Sequence, residues 1–188
     1  MKEAIKKAVE VLNQGGIILY PTDTIWGLGC DATNSEAVEK IYKIKQRADS
    51  KSLVVLAADL DMIARYVKEI PEMAITLVEI TDKPLTIIYP EAVGLAANVV
   101  AEDGTIAIRV PSGNEFCTQL LRAFRKPIVS TSANISGEKA PVRLKDVTEA
   151  IASAADWSAE ASWDAGATGK ASSIIQLGLN SEVKIIRE

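Results

Sequence analysis

The sequence predicts an α/β domain with a largely buried sheet. Short apolar runs of strand length alternate with amphipathic stretches of helix length along the whole chain, which is the pattern of a sheet covered by helices. Hydrophobic residues make up 48% of the 188 residues and charged residues 24%, an ordinary globular composition. Because no internal repeat or linker-like segment interrupts the pattern, we expect one domain over residues 1–188.

Helices are predicted where apolar residues recur with the period of a helix. In the first of them, Ile5, Ala8 and Leu12 share one face, and Gly15-Gly16 then ends the helix. A polar residue able to cap the N-terminus, Asn34 or Ser35, precedes the second. The predicted helices are Lys2–Asn13, Ser35–Ile44, Asp59–Lys68, Pro71–Ile80, Asn114–Phe124 and Leu144–Ala154.

Strands are predicted at short apolar runs bounded by proline, glycine or polar residues. The long stretch Pro21–Asn34, rich in glycine, threonine and aspartate, is predicted to be a loop, and so is Thr131–Gly137. The predicted strands are Ile17–Tyr20, Leu53–Leu56, Leu85–Tyr89, Thr105–Val110, Ile128–Ser130, Ser173–Leu177 and Val183–Ile186.

The absence of histidine from the sequence excludes whole classes of chemistry. It removes Ser-His-Asp and Cys-His catalysis in their usual forms, and zinc sites built on imidazole. Cys30 and Cys117 form no CxxC motif, which favours buried thiols in a reducing compartment. A net charge of −4 disfavours a protein that mainly coats nucleic acid. With no membrane-spanning run and no apolar leader, a cytoplasmic location is expected.

Four segments place polar residues where packing does not require them. Tyr20–Gly29, Ser130–Gly137 and Ser172–Ile175 put hydroxyls, amides or glycines beside strands, where α/β proteins commonly bind ligands. Lysines and arginines cluster over Lys40–Lys51, and Arg109 closes an apolar strand. Together they indicate a cleft for a phosphate-containing ligand. Each segment also has a simpler explanation, as a turn or as cations that complement a helix C-terminus.

A reaction that needs little acid–base help from the protein suits such a cleft. Transfer of a nucleotidyl group to a carboxylate is one, because a carboxylate is already a nucleophile at neutral pH. The protein would then align the reactants and neutralise charge on the phosphates, with Mg²⁺ on the leaving pyrophosphate.

Read in order, the same segments resemble the YrdC/TsaC family. The motifs are Tyr20-Pro21-Thr22-Asp23-Thr24 with Trp26-Gly27-Leu28-Gly29, Lys45-Gln46-Arg47 with Lys51, Ile108-Arg109-Val110-Pro111, Ser130–Gly137 and Ser172–Ile175. They extend over nearly the whole chain. The resemblance implies a twisted mixed sheet flanked by helices, around a concave basic cavity.

The resemblance also implies an activity. Members of the family are threonylcarbamoyl-AMP synthases, which combine L-threonine, bicarbonate and ATP and release pyrophosphate. They use Mg²⁺ with ATP and no organic cofactor. The product serves to form N6-threonylcarbamoyladenosine at tRNA position 37, through a separate TsaD/TsaB/TsaE-type complex. We therefore expect this complex as a functional partner and no membrane association, while weak RNA binding stays open.

The family's site residues are carried over by resemblance alone. Lys45 and Arg47 are then the catalytic cations. Thr22, Thr24 and Arg109 would surround threonine and its carbamate. No protein side chain is expected to bind the metal, which would enter on the phosphates. ATP and its phosphates would be bound by Lys45, Arg47, Lys51, Ser132, Asn134 and Ser173.

Some positions depart from the family pattern. Trp26 stands where tyrosine is usual, Lys83 is an extra cation, and Ser172-Ser173 replaces Ser-Thr. Asn134 favours a synthase over YciO-type paralogues, which lack that asparagine. Two alternatives stay open: a double-stranded RNA-binding module, and a related acyl- or carbamoyl-adenylate enzyme with another amine substrate.

Overall fold

The computed structural model describes residues 1–46 and 53–188. Its helices are α1 (Lys2–Asn13), α2 (Ser35–Ile44), α3 (Leu60–Ile63), α4 (Glu72–Ile80), α5 (Glu115–Phe124) and α6 (Glu149–Ala152). Its strands are β1 (Ile18–Pro21), β2 (Trp26–Gly29), β3 (Val54–Leu56), β4 (Leu85–Tyr89), β5 (Ile106–Arg109), β6 (Ile128–Ser132), β7 (Trp157–Ser158), β8 (Ser173–Leu177) and β9 (Val183–Arg187).

The strands form one mixed sheet in the order β7-β1-β2-β6-β3-β5-β4-β8-β9. The β1/β7, β3/β5 and β4/β8 pairs are parallel, and the other neighbours are antiparallel. Helices flank this sheet, so the α/β class and the mixed sheet predicted from the sequence are confirmed. The single domain and the basic cavity stay predictions.

The helices form because each has an apolar face and a defined start. Ile5, Ala8 and Leu12 of α1 are buried, and α1 packs against α5. The Asn34 side chain caps α2 by accepting hydrogen bonds from the backbone N–H groups of Glu36 and Ala37. This cap fixes where α2 begins, and the residue that follows the other end of α2, Lys45, belongs to the site described below.

The predicted loop Pro21–Asn34 is wrong in one part, because it contains strand β2. Its glycines have a packing function. A Cβ on Gly29 would lie 2.8 Å from Tyr20 Cε1 and 2.9 Å from the Val129 carbonyl oxygen, so only glycine lets the three strands approach. The Gly-x-Gly pattern is a feature of a tightly packed hairpin.

Other boundaries shift where tertiary contacts outweigh local periodicity. The predicted helix Asp59–Lys68 is helical only over α3, and Leu144–Ala154 divides into a short 3-10 turn and α6. Strand β6 continues to Ser132, into the predicted loop Thr131–Gly137, because Gly27 of β2 pairs with Ser132. No helix in residues 1–46 and 53–188 has the length and apolar character needed to cross a bilayer.

Candidate active site

A cavity of about 360 Å³ opens on one face of the sheet. The β1–β2 hairpin, the strands β3, β5, β6 and β8, and the edge strand β9 all contribute to its walls. Its polar lining residues among those described are Thr22, Thr24, Arg109, Ser130, Thr131, Ser132, Ser172 and Arg187. The chain thus brings residues of three of the predicted polar segments and Arg109 to one cavity, whereas the basic segment Lys40–Lys51 contributes no described residue to its wall.

The threonines of the hairpin loop form a short chain of hydrogen bonds. The Thr22 hydroxyl donates to the Ile25 carbonyl at 2.8 Å and lies 2.9 Å from the Thr24 hydroxyl. Because its one proton is used by Ile25, the proton between the two hydroxyls comes from Thr24. Thr22 also accepts from the N–H groups of Thr24 and Ile25. Thr22 therefore shapes the turn, and Thr24 keeps acceptor capacity on the cavity side.

Arg109 closes the floor of the cavity at the end of β5. Arg109 is 5% exposed, and its guanidinium forms an ion pair with Asp23, which is 3% exposed. Its other terminal nitrogen lies 3.5 Å from the Thr24 hydroxyl. Asp23 in turn accepts a hydrogen bond from the Ser112 N–H at 3.3 Å. The pairing satisfies a buried cation that would otherwise be unfavourable, and leaves guanidinium N–H groups for a ligand.

The loop after β6 is held by Lys45, the residue that follows α2. The Lys45 ammonium donates to the carbonyl oxygens of Ser132 and Asn134 at 2.6 and 2.7 Å and lies 3.4 Å from the Ser132 hydroxyl. The Lys45 carbonyl also accepts from the Ser136 N–H. Lys45 is 2% exposed and is absent from the cavity wall. In this structure its ammonium supports the loop, and Ser132 presents its side chain to the cavity.

Asn134 lies behind that wall and is 7% exposed. Its amide nitrogen donates to the carbonyls of Ile135 and Glu138 at 2.9 and 2.8 Å. Its side-chain oxygen is buried without a hydrogen-bond partner among the described residues. Unsatisfied buried acceptors are uncommon and are frequently completed by a ligand or water, so the nucleotide contact predicted for Asn134 stays a prediction.

The opposite wall is built from β8 and the edge strand β9. Ser172 lines the cavity, whereas Ser173, which the sequence suggested, does not. The Ser172 hydroxyl lies 2.7 Å from the buried Thr86 hydroxyl. Arg187, which sequence analysis missed, also lines the cavity and donates through two nitrogens to the Ser172 carbonyl at 3.0 and 2.7 Å.

The two arginines stand in one row across the sheet. In the register of neighbouring strands, Arg109 lies opposite Thr86, Thr86 lies opposite Ile174, and Ile174 lies opposite Arg187. Three strand spacings of about 4.8 Å place the two arginine Cα atoms about 14 Å apart. The cavity wall therefore contains two separate cations, and the hydroxyls of the hairpin and of β6 lie on the opposite side of β5 from Arg187. The regions around the two arginines are called the Arg109 end and the Arg187 end below. Two separate cations fit a ligand that carries two separate anionic groups.

Two predicted site residues, Arg47 and Lys51, lie outside the described residues. Trp26, by contrast, is fully buried away from the cavity. Its indole N–H donates to Asp164 at 3.1 Å, and Arg143 pairs with the same carboxylate at 2.8 Å. Burial alone would raise the pKa of Asp164, but the hydrogen bonds from Trp26 and Arg143 outweigh it and lower the pKa. Trp26 thus links the β1–β2 hairpin to the segment around Asp164 by a hydrogen bond.

A metal ligand set is not found in the described part of the cavity wall. No aspartate or glutamate lines it there, and residues 1–46 and 53–188 contain no group of three or more acidic or cysteine side chains suited to a metal ion. The hydroxyls and guanidinium groups present are donors to phosphate oxygens.

Comparison with known proteins points to one family. The family profile named Sua5_yciO_yrdC, described as "Telomere recombination", matches residues 10–188. The threonylcarbamoyl-AMP synthase of Vibrio cholerae is 36% identical over 148 residues, which cover 77% of this chain and 78% of that protein. E. coli YciO superposes with a TM-score of 0.85 at 25% identity, over 100% of this chain and 90% of that one.

A solved structure with a ligand is also similar. P. abyssi Sua5 complexed with L-threonine superposes with a TM-score of 0.84 at 29% identity, over 92% of this chain and 50% of that one. The present chain therefore spans about half the length of that Sua5 chain.

Proposed function

We propose that this chain, which belongs to the Sua5/YciO/YrdC family, is a threonylcarbamoyl-AMP synthase. The membership itself confirms the prediction made from the motifs. In the proposed reaction the neutral amine of L-threonine forms a bond to the carbon of bicarbonate-derived CO₂, and the hydroxide given up by bicarbonate leaves as water with one amine proton, so that a carbamate results. A carbamate oxygen then forms a bond to the α-phosphorus of ATP, the bond to the β-phosphate oxygen breaks, and pyrophosphate leaves.

The observation that carries the proposal is a hydroxyl-rich cavity lined by two arginines, Arg109 and Arg187, whose strands are separated by two others in the sheet. Arg109 lies beside the Thr24 hydroxyl, and this end suits the carboxylate of an amino acid. Arg187 and Ser172 suit phosphate oxygens at the other end. The hydroxyl of Ser132 lies on the wall formed by β6 and accepts from Lys45, so its own proton is directed to a ligand oxygen.

Lys45, Arg47 and Lys51 are further proposed phosphate-binding cations. The supporting contacts of Lys45 are on the loop carbonyls, and its positive charge acts on the ligand from behind Ser132, on the β6 side of the cavity. Asn134 and Ser173 are proposed to bind the nucleotide as well, and Thr22 to bind threonine. Mg²⁺ would arrive with ATP and neutralise the leaving pyrophosphate.

The wider role is also proposed from the relatives. The product would pass to a TsaD/TsaB/TsaE-type complex for N6-threonylcarbamoyladenosine formation at tRNA position 37, in the cytoplasm. Direct RNA binding is a weaker proposal. Of the two charged residues described in the cavity wall, Arg109 is already paired with Asp23, and an extended duplex needs many free phosphate contacts.

The test is pyrophosphate release from MgATP, measured with and without L-threonine and with and without bicarbonate. We expect release only when both are present, and a product whose mass is that of threonylcarbamoyl-AMP. Release with another amino acid but not with threonine would favour the adenylate enzyme of different specificity. No amino-acid-dependent release from folded protein, together with salt-sensitive binding of duplex RNA, would favour the RNA-binding alternative.

A further inference from the structure

The charge balance of the cavity differs between its two ends. At one end the carboxylate of Asp23 accepts from Arg109 and from the Ser112 N–H, and is 3% exposed. At the other end Arg187 donates to a carbonyl and has no ion pair with any residue in the described ranges 1–46 and 53–188. The Arg109–Asp23 pair therefore carries no net charge, whereas Arg187 keeps its positive charge.

Asp23 influences the ligand only through other residues. It is not part of the cavity wall, while its partner Arg109 is. Its backbone carbonyl also accepts from the Thr168 N–H at 3.0 Å, so the residue is held on three sides. A carboxylate fixed in this way sets both the orientation and the net charge of the Arg109 end.

Net charge separates the two kinds of ligand that the proposed reaction brings together. An amino acid is a zwitterion with no net charge, and a phosphate group carries up to two negative charges. A neutral ion pair with spare N–H donors can still hold a carboxylate by hydrogen bonds, but it attracts a dianion much less than an unpaired arginine does.

We propose that Asp23 is a positioning residue that determines specificity, by keeping the Arg109 end for a zwitterionic amino acid and directing phosphates to the Arg187 end. This inference rests on the proposed function. Sequence analysis assigned Asp23 no role, although it stands between the two threonines of the first motif. Its position in that motif could have indicated a role, because a carboxylate beside a binding site for anions repels the ligand unless a cation pairs with it.

The test measures binding of L-threonine by calorimetry without ATP, at constant ionic strength, with and without inorganic sulfate as the dianion probe. In the wild type, sulfate should leave the threonine affinity unchanged. In Asp23→Asn, sulfate should compete with threonine and weaken its apparent affinity by about tenfold or more. Asp23→Glu, which keeps the charge, should restore resistance to sulfate even if threonine binds less tightly.

Asp31→Asn is the matched control. Asp31 is also buried, at 4% exposure, pairs with Lys126 at 2.7 Å and accepts from a backbone N–H, but it is away from the cavity wall. It should lose stability without gaining sensitivity to sulfate. Steady-state rates add a second measurement: Asp23→Asn should raise the KM for threonine more than it lowers kcat, which a merely structural role would not produce.

The outcomes separate this inference from the proposed function. Competition by sulfate in the wild type overturns the inference without any variant. The inference is also overturned if threonine binding by Asp23→Asn remains insensitive to sulfate. It is likewise overturned if threonine binding by Asp31→Asn becomes as sensitive as that of Asp23→Asn. If the wild type binds threonine and releases pyrophosphate, these results leave the proposed function standing. If it does neither, the proposed function fails and the inference falls with it.

Discussion

Replacing Lys45 with methionine removes a buried charge that supports the wall of the cavity. The ammonium makes two short hydrogen bonds, of 2.6 and 2.7 Å, to the carbonyls of Ser132 and Asn134. A hydrogen bond to a charged group contributes about 1.5–3 kcal/mol net, so two contribute about 3–6 kcal/mol. Methionine recovers part of this, because the buried ammonium no longer has to be desolvated.

The expected net loss for Lys45→Met is therefore about 3 kcal/mol. In a domain of this size about 1 kcal/mol corresponds to 2–4 °C, so the melting temperature should fall by roughly 6–12 °C. The variant should still fold, because domains are typically stable by about 5–15 kcal/mol. Activity should fall together with stability, as the loop that carries Ser132 loses its support.

Differential scanning calorimetry measures the melting temperature of Lys45→Met, and the matched control is a methionine substitution of another lysine, Lys40. Lys40 is exposed, lies on α2, the helix that Lys45 follows, and donates to the Gly15 carbonyl at 2.8 Å. Lys40→Met should lower the unfolding free energy by about 1 kcal/mol or less. A Lys45→Met variant that melts with the wild type would refute the supporting role. If it also loses turnover, Lys45 contacts the phosphates directly.

Three further predictions concern other parts of the structure. Arg187→Ala should raise the KM for ATP about tenfold or more with a small change in melting temperature, because its guanidinium reaches the cavity from an exposed edge strand. Asp164→Asn should reduce the loss of stability in acid. Burial would raise the pKa of Asp164, but hydrogen bonds from the Trp26 indole and a neighbouring guanidinium lower it below the ordinary value of 3.8. The contribution of Asp164 to the free energy of unfolding is therefore complete above pH 3.8 and is lost as the pH falls through the lower, folded-state pKa. Urea titrations across this pH range measure that loss. Burial raises the pKa of Cys117 to about 12 and also raises that of Cys30, so neither thiol should react with Ellman's reagent in the native protein.

Each of these has a control within the chain. Lys184→Ala removes a cation from the same edge strand but not from the cavity wall, and an equal rise in the KM for ATP there would contradict the role of Arg187. Glu10→Gln removes an exposed carboxylate of α1 and should leave the acid unfolding curve as it is. For the thiols, the same reagent in denaturant should titrate both cysteines; rapid reaction in the native state would contradict their burial.

The fold class followed from the sequence because periodicity reports burial, and burial decides most elements. Strand β2 was missed because Gly27 and Gly29 have turn-forming composition, and their actual function is to let Tyr20 and β6 approach. That requirement comes from residues far along the chain. No local pattern contains it, although a hairpin could have been suspected from the glycines that follow the strand β1.

The site was predictable in its segments and less so in its side chains. The choice between Ser172 and Ser173 depends on which of two adjacent positions in an extended segment faces the cavity, and a shift of one residue reverses it. Arg187 was missed because a single arginine at the end of an exposed strand has no motif around it. Its role appears only when β9 is placed at the end of the row that begins at Arg109.

The described wall of the cavity contains serine, threonine and arginine as its polar groups, and the chain has no histidine. Arginine stays protonated in proteins, and hydroxyl groups do not ionise near neutral pH. In the proposed reaction the described groups of the wall therefore contribute little to proton transfer. What remains for the protein is alignment and charge neutralisation, and that is the purpose served by hydroxyls and cations held in fixed positions by Thr22, Asp23 and Lys45.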